Sequence, residues 1–222
     1  MSVAAPAADL TLAEMRAVLA PDVARAAAFD GWSAAALAEA ARQHGIDPKV
    51  AELAFAGGAM AMIAAWIAAV DAAMSREFGN GSLLALPIRE RIGRLVRFRL
   101  AAISGLEESL RRALAIMAMP QNAAQSLRLG WNSADAMWRL AGDTATDYNH
   151  YTKRTILAGL YTATLAIFVG DDSVGKAGTL AFLDRRIAGV MRFEKAKARL
   201  LRPDAERFSM ARLLGRLRYP AR

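Results

Sequence analysis

The chain has 222 residues and a net charge of +8, and it contains no cysteine, which excludes a disulfide framework and a thiolate metal site. It has only two histidines, so a histidine-rich metal centre is excluded as well. We find no Gly-rich phosphate loop and no nucleophile-elbow motif. The composition therefore predicts a non-enzymatic protein with no catalytic residue and no metal site.

Frequent alanine, few prolines and few β-branched runs predict an all-α fold of about ten helices. Residues 1–10 lack the basic and apolar segments of a signal peptide and are expected to be disordered. We expect a single helical domain over residues 11–200. A linker and an amphipathic C-terminal helix are expected over residues 201–222.

Residues 11–56 predict three helices with a helix-turn-helix-like arrangement. Ser33 is a suitable N-cap, and Asp47-Pro48 is a typical helix start. This part resembles the N-terminal module of TetR-type repressors. DNA readout needs basic and amide side chains, but residues 30–56 carry two basic and four acidic groups. We therefore expect no nucleic-acid binding, and a TetR-type ligand-responsive transcriptional repressor is kept as the alternative function.

The middle of the chain is rich in apolar residues. The longest uncharged run, Leu53 to Val70, is mostly alanine, so we expect a helix buried on all sides rather than a membrane span. Residues 86–104 predict an amphipathic helix with most of its arginines at the surface. Methionine and aromatic side chains adapt to apolar ligands, although ordinary core packing is the alternative. The candidate lipid-binding residues are Met60, Ile63, Trp66, Ile67 and Met117.

The stretch from Trp131 to Ser173 carries the most distinctive pattern. Separate helices are predicted over residues 121–129 and 131–141, and Gly142 is a typical helix end. Thr144 and Asp147 have the spacing of a capping box for the next helix. The spacing i, i+3, i+4 and i+7 then places one acid, two rings and a guanidinium on a single helix face. This stripe is either a solvated face or a recognition patch, and it consists of Asp147, His150, Tyr151 and Arg154.

The same stretch resembles the signature of a known family. The matching residues are Met137-Trp138, Ala141-Gly142-Asp143, Thr146-Asp147, Asn149, Tyr151-Thr152-Lys153-Arg154 and Asp172-Ser173. They are similar to those of the lipid-binding accessory proteins of ubiquinone biosynthesis, the partners of the di-iron demethoxyubiquinone hydroxylase. The resemblance implies a TetR-like fold, a bound lipid or isoprenoid quinone, and no catalysis by the chain itself. It also implies that the hydroxylase is bound by Met137, Asp147, His150, Tyr151 and Arg154. Many members have tryptophan where this chain has His150.

The positive charge is concentrated at the C-terminus, since residues 192–222 hold 10 basic and 3 acidic residues. A basic amphipathic helix lies in the plane of an anionic membrane, and the alternative is that it docks on the core of the body. The residues expected at the membrane are Met210, Arg212, Leu213, Leu214, Arg216 and Leu217. We also expect a homodimer, because TetR-like proteins pair through their C-terminal helices, and a cytoplasmic location peripheral to the inner membrane of a bacterium.

Overall fold

A computed structural model describes residues 10–144 and 148–201, with side chains described for residues 10–144 and 150–192. Within these ranges all regular structure is helical, which confirms the all-α prediction. In the part of the chain that the structure describes, two short 3-10 turns, Pro120–Asn122 and Val174–Lys176, accompany nine α-helices. The helices are α1 (Leu12–Asp30), α2 (Ala34–Gln43), α3 (Pro48–Ala54), α4 (Gly58–Phe78), α5 (Ile88–Ala102), α6 (Glu107–Met117), α7 (Ala123–Leu140), α8 (Tyr148–Val169) and α9 (Ala177–Leu201).

Side-chain caps begin the N-terminal helices. The Ser33 hydroxyl accepts a hydrogen bond from a backbone amide at the start of α2, and the Asp47 carboxylate does the same for α3, as predicted. In α1, Thr11 and Glu14 form a reciprocal capping box. Pro21 lies inside α1 without ending it.

The helix-turn-helix-like part exposes apolar and acidic side chains on its second helix. Its second helix, α3, is only 7 residues long. Its exposed face includes the apolar side chains of Val50 and Leu53, which are 40% and 64% exposed, beside the acidic Glu52. Phosphate contacts dominate DNA affinity, and the absence of nucleic-acid binding stays a prediction.

The central helix of the bundle is α4, which packs against α1, α5, α6 and α7. By length and composition alone α4 could cross a membrane, but buried core helices meet the same criterion. The Trp66 ring of α4 lies 5.4 Å from the Trp32 ring, and both are buried. The prediction that this helix is buried on all sides is wrong, because Ala68 and Ala72 are exposed.

Helix α5 is amphipathic as predicted, with Ile92, Leu95, Val96 and Leu100 buried. One of its arginines departs from the expected surface position. Arg99 is only 2% exposed and points into the bundle.

Helix α7 corrects a predicted break. Separate helices over residues 121–129 and 131–141 are wrong, because α7 is continuous through Gly130. A glycine inside a helix costs only about 1 kcal/mol relative to alanine, and packing of α7 against α4 and α8 outweighs this cost. The end of α7 is as predicted, since Gly142 has a φ of 84° that favours glycine. Residues 145–147, and with them the expected capping role of Asp147, lie outside the described residues.

Candidate functional site

An apolar cavity of about 800 Å³ lies between α4, α5, α6, α7 and α8. Ile63, Trp66, Ile67 and Met117 line this cavity, so the structure brings four of the five candidate lipid-binding residues together. The fifth assignment is corrected: Met60 is buried in the hydrophobic core and is not part of the cavity wall. Whether a lipid occupies the cavity stays a prediction.

Small side chains on α8 create much of the space. They lie at helical spacing along one side of the helix, where larger side chains would fill the cavity. Sequence reasoning missed this wall, although the run of small residues was a visible signal. The residues concerned are Ala158, Gly159, Thr162, Ala163 and Ala166.

One part of the cavity wall is polar, and we call it the polar end; it consists of Arg99, Ser133 and Tyr161, with Asp71 behind them. Arg99 Nη1 pairs with the Asp71 carboxylate, and Arg99 Nη2 donates to Ser133 Oγ at 3.2 Å. Ser133 Oγ in turn donates to Asp71 Oδ2 at 2.9 Å. The guanidinium carbon lies 4.8 Å from the centre of the Tyr161 ring, within cation–π range.

The surroundings of Arg99 favour its charged form. Burial opposes the charged form, but the interactions with Tyr161 and Asp71 outweigh burial and raise the pKa of Arg99 above its ordinary value. The polar end therefore contains a permanent guanidinium whose charge is balanced by one carboxylate. No sequence motif predicts the polar end, because Asp71 and Ser133 are 62 positions apart in the chain.

Three aromatic rings form a second feature, which we call the aromatic cluster: Trp131 of α7 with His150 and Tyr151 of α8. The ring centres of Trp131 and Tyr151 are 5.8 Å apart, and those of Trp131 and His150 are 6.3 Å apart. Tyr151 is 60% exposed, whereas Trp131 also lines the cavity. The aromatic cluster therefore joins the cavity wall to the protein surface.

Two other members of the predicted partner-binding set do not reach the surface. Arg154 is 2% exposed, and its Nε donates to Asp135 Oδ1 at 2.5 Å. Its Nη1 donates to Asp143 Oδ2 and to the His150 carbonyl, both at 3.1 Å. Met137 is fully buried. The expectation of direct partner contacts is corrected for Arg154, because α7 covers the end of the stripe that Arg154 occupies, and for Met137, because this α7 side chain faces the core.

The buried ion pairs tie the end of α7 to the start of α8. Lys153 Nζ donates to Asp143 Oδ1 at 2.6 Å, and Trp138 Nε1 donates to the Lys153 carbonyl at 3.0 Å. Burial opposes ionisation of Asp143, but hydrogen bonds and charges from Lys153 and Arg154 outweigh it and lower the pKa of that carboxyl. These contacts position α8 so that Tyr151 projects outward.

Comparison with known proteins finds relatives of this chain. Residues 123–194, which include α7 and α8, match the model of the COQ9 family. The ubiquinone biosynthesis protein COQ9, mitochondrial, of Rattus norvegicus is 33% identical over 168 residues, which cover 72% of this chain and 54% of the rat protein. The protein of the same name from Homo sapiens is 30% identical over 168 residues, which cover 72% of this chain and 52% of the human protein.

The chain is therefore similar to COQ9 proteins over residues 123–194 and over the 168 residues aligned with the rat protein. It spans about half the length of these COQ9 relatives. A solved structure of a TetR transcriptional regulator from Nitrosomonas europaea ATCC 19718 superimposes with a TM-score of 0.64 and covers 80% of this chain and 98% of the regulator. At 20% identity this likeness shows the fold alone, and it confirms the TetR-like prediction.

The comparisons also correct the predicted location. The COQ9 relatives from rat, cattle and human are all named as mitochondrial proteins. The prediction of a cytoplasmic protein peripheral to the inner membrane of a bacterium is therefore wrong.

Proposed function

We propose that this chain belongs to the COQ9 family and is a non-enzymatic lipid-binding accessory protein that presents isoprenoid quinone intermediates to the demethoxyubiquinone hydroxylase. The observation that carries the proposal is the shared position of Trp131, which lines the large apolar cavity and belongs to the aromatic cluster at the surface. The names of the curated relatives support a role in ubiquinone biosynthesis.

The cavity suits an apolar ligand. Its volume of about 800 Å³ is in the range of small-molecule pockets, which are mostly apolar with a few placed polar groups. Its wall also reaches the surface, since the lining residue Leu127 is 76% exposed. An apolar ligand would bury this surface and gain the hydrophobic free energy that an open cavity forgoes.

The aromatic cluster suits a protein partner. Tyr151 and Trp131 are of the types enriched at binding hot spots. The buried Arg154 fixes the backbone of α8 beneath them through the His150 carbonyl. A rigid, partly exposed aromatic surface beside a ligand cavity is an arrangement in which the partner approaches the ligand directly. Asp147, which lies outside the described residues, remains part of this proposed surface on sequence grounds.

The chemistry of hydroxylation belongs to the partner in this proposal. Among the described residues no group of three or more His, Asp or Glu side chains is placed to hold a metal ion. The residues of the cavity wall instead offer shape, apolar surface and one charged polar end.

We further propose that the chain forms a homodimer, as TetR-like proteins do through their C-terminal helices. Sedimentation velocity at micromolar concentration measures this directly. A mass of twice 23.8 kDa is expected, and a single monomer peak would contradict the dimer.

Ligand loading is tested by filling the cavity. A Cβ built at Gly159, which lines the cavity, has no atom within 4 Å, so a larger side chain can start there without a clash, and the ring of Gly159→Phe should occupy part of the space. Gly189→Phe in α9 is the matched control, because a Cβ there is equally unobstructed and Gly189 is not in the cavity wall. Native mass spectrometry of the purified proteins should show co-purified lipid or isoprenoid in the wild type and the control, and much less in Gly159→Phe. Well-folded wild-type protein that never carries such a molecule refutes the ligand proposal.

Partner docking is tested at the aromatic cluster. Tyr151→Ala and His150→Ala should each weaken binding of the demethoxyubiquinone hydroxylase, by roughly tenfold or more for Tyr151, because truncating a hot-spot aromatic typically costs about 2 kcal/mol. Phe29→Ala is the control, since Phe29 is 85% exposed and lies on α1. Surface plasmon resonance with matched melting curves separates docking from folding. If the hydroxylase binds the wild type and a double variant with both His150→Ala and Tyr151→Ala with equal affinity, this docking surface is ruled out.

A further inference from the structure

A donor that lacks an acceptor lies at the polar end of the cavity. Arg99 is 2% exposed, and among the described residues its Nε is the buried side-chain nitrogen without a hydrogen-bond partner. Its two terminal nitrogens are engaged by Asp71 and Ser133. A buried donor without an acceptor is destabilising, so this one requires an explanation.

Other buried or half-buried arginines in the chain do not share this property. Arg154 Nε donates to Asp135, and Arg91 Nε donates to the Leu86 carbonyl at 2.7 Å. Neither of these groups lies in the wall of the large cavity. The unsatisfied donor therefore belongs to a side chain of the cavity wall.

The charge balance of the polar end selects the kind of acceptor. The guanidinium of Arg99 is already neutralised by Asp71, which Ser133 holds in place. An anionic headgroup would approach a carboxylate within the same network and would lose its own hydration. A neutral oxygen, such as a carbonyl or a phenol ether, accepts a hydrogen bond without either cost.

The rest of the wall fixes the orientation. The Tyr161 ring lies beside Arg99 and offers a flat surface and a hydroxyl at the polar end. The exposed Leu127 lies six residues before Ser133 on α7, which is roughly 9 Å along the helix axis. A ring at Arg99 would therefore have its apolar chain directed toward Leu127.

We infer that Arg99 is the anchor for the oxygen-bearing ring of the ligand: one neutral ring oxygen accepts a hydrogen bond from Arg99 Nε, with Tyr161 beside the ring and the isoprenoid chain toward Leu127. Asp71 and Ser133 are positioning residues that hold the guanidinium. This inference rests on the proposed function and assigns the polar recognition within it.

The test compares three ligands that share an isoprenoid chain: a quinone with two isoprene units, the corresponding hydrocarbon without the ring, and the corresponding chain with a phosphate head. Wild-type protein should bind the quinone about tenfold more tightly than the hydrocarbon, because a hydrogen bond to a charged donor has about this effect. The phosphate-headed chain should bind no better than the hydrocarbon. A wild type that does not distinguish quinone from hydrocarbon, or that prefers the phosphate, overturns the inference.

The variants identify the anchor. Arg99→Met should reduce the preference for quinone to within about twofold of the hydrocarbon while hydrocarbon binding persists. The double variant Asp71→Asn with Arg99→Met leaves no unpaired charge and should behave in the same way if the single variant folds poorly. Arg97→Met is the matched control, since Arg97 lies on the same helix and pairs with Asp184 at the surface. Retention of the preference in the folded Arg99 variants overturns the assignment, whereas failure of all three ligands to bind wild type contradicts the proposed function itself.

Discussion

Arg154 shows how far a helical stripe can be interpreted at the level of single residues. Its spacing from His150 and Tyr151 places all three on one face of α8, which the structure confirms for the backbone. Yet Tyr151 is 60% exposed and Arg154 is 2% exposed. The periodicity of a helix gives direction around its axis, whereas exposure depends on where a neighbouring helix crosses that face. The sequence therefore predicts which face of α8 a residue lies on, but not whether that face is exposed.

The buried ion pairs of Arg154 should stabilise the fold, whereas the exposed ion pair of Arg139 should contribute little. Arg154→Met leaves Asp135 and Asp143 without their buried cation and should lower the free energy of unfolding by about 3 kcal/mol. Arg139 pairs with the same Asp135, but its side chain is 74% exposed, so Arg139→Met should cost less than about 1 kcal/mol. Urea unfolding followed by circular dichroism measures both. Equal losses in the two variants would show that burial does not decide the contribution of these pairs.

Helix boundaries could be predicted where a local cap determines them. Ser33, Asp47 and Gly142 carry their own hydrogen-bonding or backbone signal, and each lies at a helix end in the structure. Gly130 carries only a weak local preference, and the predicted break there is absent because α7 packs along other helices. Local chemistry therefore predicts ends, while continuity through a weak residue depends on tertiary packing.

The two glycines of α7 should respond to alanine in opposite ways. Gly130 lies inside the helix with no atom within 4 Å of an added Cβ, so Gly130→Ala should stabilise by about 0.5–1 kcal/mol. Gly142 has a φ of 84°, and an added Cβ would lie 2.7 Å from Leu84 Cδ2. Gly142→Ala should therefore destabilise by more than about 1 kcal/mol. Melting temperatures that shift in the same direction for both variants would contradict this account.

The bundle as a whole forms a cavity, of which the sequence predicts several apolar wall residues but not the polar end. Five helices converge on it, and the polar end brings together residues of α4, α5, α7 and α8. Flexibility and shape make the methionine and tryptophan side chains candidates for ligand binding, but the same properties also suit an ordinary core. The structure separates the two uses: Trp66 and Met117 line the cavity, whereas Met60 packs in the core.

We propose that residues 204–222, which lie outside the described residues, attach the chain to a membrane. Their sequence predicts a basic amphipathic helix, and each basic residue near an anionic surface contributes roughly 1 kcal/mol. Removal of residues 204–222 should abolish binding to vesicles containing phosphatidylserine and leave the melting temperature within about 2 °C. Wild-type binding should fall as salt rises, and neutral vesicles serve as the control. A truncated protein that melts several degrees lower, with weak vesicle binding by the wild type, would assign the helix to the core instead.

Trp131 can couple two binding events: that of a ligand in the cavity and that of a partner at the aromatic cluster. The same indole contributes to the cavity wall and contacts the rings of His150 and Tyr151. If a ligand changes the position of this indole, it changes the affinity for whatever docks on the rings, and by thermodynamic necessity the docked molecule changes the affinity for the ligand by the same factor. A partner that binds the empty form more tightly would thereby promote release of the ligand, with no energy source beyond its own binding.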